Sequence, residues 1–114
     1  MSETTLPACP FDYRGPAALQ QAVLAALHDV VDPEVALSIV DLGLVYGVEI
    51  GAERARVIMT MTSAACPVTD LIVADVEAGL ERVLPAGCWI DVDVVWEPAW
   101  TPEMMSESAR RFMG

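Results

Sequence analysis

A chain of 114 residues, 54% of them hydrophobic, has enough apolar material for one domain with its own core. Its net charge of −11, with six Arg and no Lys, excludes a phosphate-neutralising surface and therefore a nucleic-acid partner. The apolar runs are short and broken by Asp, Glu or Arg, so no membrane span is expected, and residues 1–10 carry no basic stretch leading into an apolar one, which makes the cytoplasm the expected compartment.

In chain order, residues 1–15 contain Pro7, Cys9, Pro10 and Gly15 without a period and read as a flexible N-terminal arm; residues 16–114 read as a single domain. Pro16 suits a first helical turn, and Leu19, Val23, Leu27 and Val30 then recur at three- and four-residue steps, one face of a helix. That helix must end before Asp32-Pro33, because the residue preceding a proline avoids the α region. Residues 31–44 are irregular and carry Asp32, Glu34 and Asp41. Residues 44–50 alternate as a strand, residues 51–54 turn, and residues 56–62 form a second strand with Val57, Met59 and Met61 on one face, giving an antiparallel hairpin.

Residues 63–66 then form a tight loop, and Pro67 opens a second helix whose buried stripe is Val68, Ile72, Val76, Leu80 and Val83, with Asp70, Glu77 and Glu81 toward water. Pro85-Ala86-Gly87 ends it. Residues 89–96 make a third strand with Ile90, Val92, Val94 and Trp96 inward. After the rigid Glu97-Pro98-Ala99-Trp100 loop, Thr101-Pro102-Glu103 supplies an N-cap, a first-turn proline and a first-turn acid for a short helix with Met105, Ala109 and Phe112 on one side. The order helix-strand-strand-helix-strand-helix predicts an α/β (α+β) fold, a two-layer sandwich on a small mixed three-stranded sheet.

Three cysteines, Cys9, Cys66 and Cys88, with no C-x-x-C and no Cys/His cluster, argue against a disulfide framework and against a closed zinc site made by one chain. Cys66 stands apart from the other two. It falls where a strand gives way to a helix, at or beside the N-cap, where unpaired N–H groups and the helix dipole favour the thiolate, the form that attacks and binds metal. Thr60 and Thr62 lie just upstream, with hydroxyls suited to a sulfur or a ligand. The residues alone leave open whether Cys66 is a working thiol or a small buried residue closing a loop. His28 suits a helix C-terminus. Trp96 and Trp100 either wall a pocket or pack, and Met104, Met105 and Met113 either fill the core or offer a soft partner-binding face.

Four stretches taken together resemble the MIP18 family, also called the domain of unknown function 59: Asp32-Pro33-Glu34; Ile39-Val40-Asp41-Leu42-Gly43-Leu44-Val45; Met59-Thr60-Met61-Thr62 with Cys66-Pro67; and Val95-Trp96-Glu97-Pro98-Ala99-Trp100-Thr101-Pro102-Glu103-Met104-Met105-Ser106. The resemblance runs over about residues 19–110. The family includes SufT-type bacterial proteins, the PaaD subfamily linked to phenylacetate ring oxygenation, and eukaryotic cytosolic iron–sulfur targeting factors. No cysteine-rich tail of the PaaD kind follows, which favours the SufT-like branch. The resemblance implies a small α/β fold and a role in iron–sulfur cluster maturation, with Cys66 as the reactive or cluster-related residue and Asp32, Glu34 and Asp41 near it. For Asp32 and Asp41 turn capping is the favoured alternative, whereas Glu34 suits either role.

The expected function is that of a non-enzymatic assembly factor in which Cys66 transiently holds iron or a labile iron–sulfur cluster. One cysteine cannot supply the four ligands of a cluster, so a homodimer, a scaffold or client protein, or small thiols would complete the set. The alternative is an interaction module that binds no metal and presents Trp100, Met104, Met105 and the acidic face to an oxygenase or a cluster-targeting complex. A thiol enzyme ranks last, because no oxyanion arrangement is legible.

Overall fold

The structure, a computed structural model, describes residues 11–62 and 66–113; side chains 66, 67, 112 and 113 are outside the description. Alternation in the hairpin sets the architecture. Strand β4 (Val45–Ile50) runs antiparallel to β5 (Arg54–Met59), with Val48 opposite Val57 and Glu49 opposite Arg56. The valines are fully buried, whereas Glu49 and Arg56 are exposed, so one face of the sheet is core and the other meets water. A register shift between Val45 and Gly47 marks a bulge at the start of β4.

Two strands flank this hairpin, both in parallel. β1 (Asp12–Arg14) lies beside β4, and β6 (Trp89–Val94) beside β5, giving the order β1-β4-β5-β6. A separate ribbon pairs β2 (Val31–Asp32) with β3 (Leu37–Ser38). Helices α1 (Ala17–His28) and α2 (Cys66–Val83) pack on each other, and α2 also packs on β6. Their buried residues Val23, Leu27, Ile72, Val76 and Leu80 join Val48, Ala55, Val57 and Met59 in one core. A 3-10 turn at Pro102–Met104 precedes α3 (Glu107–Met113). Among the described residues no helix is long and apolar enough to cross a membrane.

The helices and hairpin follow the expected pattern, and several details are corrected. Among the described residues the main sheet has four strands rather than the expected three. The proposed arm of residues 1–15 is not wholly outside the fold: Phe11 is buried and Asp12–Arg14 form β1, while residues 1–10 lie outside the described residues. The stretch of residues 31–44 holds the β2–β3 ribbon. β5 ends at Met59 instead of continuing to Thr62. β6 ends at Val94, so the alternation does not carry Trp96 inward; it is 49% exposed. The expected loop of residues 63–66 lies outside the described residues up to position 65.

Candidate functional site

Backbone hydrogen bonds gather the sequence-distant motifs at one end of the sheet. Ile39 N donates to Val30 O at 2.9 Å, Leu44 N to Ile39 O at 3.0 Å, and Thr60 N to Leu44 O at 2.8 Å. The end of β6 joins them, with Val95 N donating to Met59 O at 2.8 Å. The Asp32 turn, residues 39–44 and the end of β5 therefore lie side by side, and β2 also packs against α2. From this end the chain passes into α2, whose first residue is Cys66. The first-turn N–H groups of a helix lack intrahelical acceptors and favour negative charge. The Cys66 side chain lies outside the described residues.

Among the described residues three polar side chains are buried: Asp32, Ser38 and Thr60. Asp32 is 1% exposed, and its Oδ1 accepts from Glu34 N at 2.9 Å, an Asx turn that fixes the loop. Its carbonyl accepts from Ala36 N at 2.8 Å, and Ala36 takes φ +60°. Ser38 Oγ accepts from Val40 N at 3.2 Å. Thr60 Oγ1 is buried and has no hydrogen-bond partner among the described residues. Glu34 is exposed and Thr62 half-buried.

Asp41 is a structural hub. One carboxylate oxygen pairs with His28 Nε2 at 3.1 Å, and the other accepts from Ser106 Oγ at 3.4 Å. Its carbonyl accepts from Ser106 N at 2.7 Å. Ser106 Oγ in turn accepts from Ala109 N at 3.2 Å, capping α3. The C-terminal segment is thereby tied to residues 41–46. Trp100 Nε1 donates to Leu42 O at 2.6 Å, and Tyr46 Oη donates to Pro98 O at 2.6 Å. Gly43 makes the close approach feasible: its φ is +78°, and a Cβ there would sit on the Met104 carbonyl.

Of the expected partner-binding residues, Met105 is buried, Trp100 is half-buried with its indole N–H committed to Leu42, and Met104 is half-buried against Gly43 and Tyr46. These side chains serve the chain's own packing. Among the described residues no group of three or more His, Cys, Asp or Glu side chains is placed to hold a metal ion. The structure thus brings the Asp32 turn and Thr60 to one end of the sheet, while Asp41 ties residues 41–46 to the C-terminal segment. Tyr46, Ser38 and Ser106 shape this end without having been singled out as site residues; Gly43, following a turn-forming Asp41-Leu42, was the legible signal.

The opposite sheet face has a different character. Arg14, Glu49, Arg56 and Asp91 lie in register across the four strands, an alternating row of charge. The Arg56 guanidinium is held above its ordinary pKa, first by its hydrogen bond to Asp93 and then by that carboxylate's charge.

Residues 20–92 match a family model described as iron-sulfur cluster assembly protein. The chain is 40% identical over 98 residues to the Fe-S protein maturation auxiliary factor YitW of Bacillus subtilis (strain 168), covering 85% of this chain and 95% of that protein. It is 40% identical over 86 residues to the Fe-S protein maturation auxiliary factor SufT of Staphylococcus aureus (strain USA300), covering 75% and 97%. Among solved structures, the domain of unknown function DUF59 from Bacillus anthracis superposes with a TM-score of 0.77 at 42% identity, covering 85% of this chain and 92% of that one.

Proposed function

The chain belongs to the iron–sulfur cluster assembly protein family, and from that premise we propose that it is a non-enzymatic auxiliary factor of iron–sulfur protein maturation that holds iron or a cluster transiently through Cys66. Its cargo comes from, or goes to, scaffold and client proteins in the cytoplasm. The observation that supports this reading is that Cys66 is the first residue of an 18-residue helix that follows β5 in the chain, β5 stopping where Asp32 and Thr60 are buried.

The chemistry follows from that position. The helix start favours the thiolate, so the thiol proton passes to solvent and the sulfur is a soft donor for iron. Glu34 supplies the hard donor: its carboxylate is exposed and unpaired among the described residues, on a turn that Asp32 holds in shape. Asp41 is already committed to His28 and Ser106 and acts on the scaffold. One thiolate and one carboxylate leave iron sites open, to be completed by a second copy of the chain, a partner or small thiols. Incomplete ligation makes the cargo labile, which suits delivery.

The test is anaerobic loading with iron and sulfide, followed by mixing with a cluster-free client. Wild type is expected to transfer cargo, and Cys66→Ser to lose at least about tenfold in both retained iron and transfer rate. Equal transfer by a folded Cys66→Ser variant overturns the thiolate mechanism.

A further inference from the structure

β6 is an outer strand of the main sheet: β5 lies on one side of it, and among the described residues nothing pairs with the other. Trp89 N donates to Glu53 O and Val95 N to Met59 O, both at 2.8 Å, so Trp89, Asp91, Asp93 and Val95 turn their backbone groups toward β5. Ile90, Val92 and Val94 therefore each hold an N–H and a C=O outward along a six-residue edge. Their side chains are incompletely covered as well. In register on β5, Ala55, Val57 and Met59 are fully buried, whereas Ile90, Val92 and Val94 are only half-buried, because no strand lies beyond them. Trp89, at the start of the strand, is 65% exposed. An edge of this kind pairs with an extended chain unless its side chains forbid the match.

Charge decides what fits. Asp91 is exposed on the charged face of the sheet, and Glu77 and Glu81 of α2, with Trp89 and Ile90, line a cavity of about 280 Å³. None of these three acids has an ion-pair partner among the described residues. A second copy of the chain is a poor occupant. The antiparallel register that pairs Ile90, Val92 and Val94 sets Asp91 of each copy opposite Asp93 of the other, and each copy carries a charge of −11. β5 shows what kind of strand β6 accepts. Arg54 and Arg56 stand opposite Trp89 and Asp91, Arg56 also pairs with Asp93, and Ala55 and Val57 alternate with them on the core face. This is the only place in the sequence where two basic residues lie two positions apart, and it is already central in the sheet. We propose that the free edge of β6 docks an extended segment of a partner protein, one with Lys or Arg at alternate positions and aliphatic side chains between them. The segment would extend the four-stranded sheet by one strand, bonding the outward groups of Ile90, Val92 and Val94, covering their side chains, and setting basic groups beside Asp91. Glu77 and Glu81 add to the negative field that draws such a segment in. The site uses neither Cys66 nor iron, so it stands or falls apart from the function proposed above.

The experiment titrates the full chain, without iron, with a short capped peptide of alternating Arg and Val. The controls are the same residues in block order, an alternating Glu and Val peptide, and the alternating Arg and Val peptide with its main-chain nitrogens methylated. Affinity and amide hydrogen exchange by NMR are the readouts. Saturation with the alternating basic peptide is expected to slow exchange at Ile90, Val92 and Val94 about tenfold or more. The three controls should bind at least about tenfold more weakly. Val92→Pro deletes an outward N–H that an edge strand can spare, and should lose binding by about the same factor. Asp91→Asn, at an exposed position, should weaken binding about threefold. Equal affinity for the alternating and block-order basic peptides overturns the proposal, because charge alone then holds them. Binding that leaves exchange at Ile90, Val92 and Val94 unchanged overturns it too, as does no binding at all. So does slow exchange at these amides before peptide is added, because the chain itself then covers the edge in a monomer, or a second copy covers it in a dimer.

Discussion

Across the middle of the sheet Val48 faces Val57 in register, and Ile72, Val76 and Leu80 of α2 join them in a core with no polar atom to satisfy. At the end where β5 gives way to α2, the buried set also includes Asp32, Ser38 and Thr60, and the covering C-terminal segment, which buries Met105 and Ala109, is further tied by hydrogen bonds from Trp100, Tyr46 and Ser106. The first region draws stability from apolar burial, which is non-directional and large. The second adds to its apolar burial a set of directional contacts of modest net value. The largest apolar stabilisation and the proposed chemistry are thus assigned to different parts of a small domain, and substitutions should separate them.

The largest effect is expected in the middle. Leu80→Ala removes a fully buried side chain and should lower stability by about 3 kcal/mol in urea titration. Iron retention per folded chain should be unchanged; a parallel loss of retention would erase the distinction between the regions. Next is Gly43→Ala, which forces a side chain at φ +78° onto the Met104 carbonyl and should cost about 2 kcal/mol. Hydrogen exchange should then quicken in residues 100–106 before it does in α2, whereas uniform quickening would show that the C-terminal segment belongs to the main cooperative unit. Trp100→Phe keeps a ring and deletes the N–H donor to Leu42, for about 1 kcal/mol by the same titration. The smallest effect belongs to His28→Ala, which breaks an exposed pair with Asp41 and should change stability by no more than about 0.5 kcal/mol. A loss several times larger would make that pair an essential clamp on the C-terminal segment.

How much of this could be read from residues alone follows the same division. The helical stripes Val23–Leu27 and Ile72–Val76–Leu80, and the Val57–Met59 face, are local periodicities and appear as expected. β1 was illegible because three residues carry no period; pairing with β4, far along the chain, makes them a strand. The alternation of β6 misled at Trp96, since a pattern in sequence does not say where the chain leaves the sheet. In the candidate site, the turn at Asp32 and the helix start at Cys66 were legible from Pro33 and Pro67. The commitments of Asp41 to Ser106 and of Trp100 to Leu42 were not, because each spans more than fifty residues. The same contacts engage Trp100 and Met105 in the chain's own packing, one of the two uses their sequence allowed.

The sulfur of Cys66 carries the proposed function, and Mössbauer spectroscopy of the chain isolated without air from iron-labelled cells reads it most directly. Wild type should give the isomer shift of sulfur-ligated iron, and a folded Cys66→Ala variant should lack that signal. The same sulfur-ligated signal in both chains would contradict the assignment.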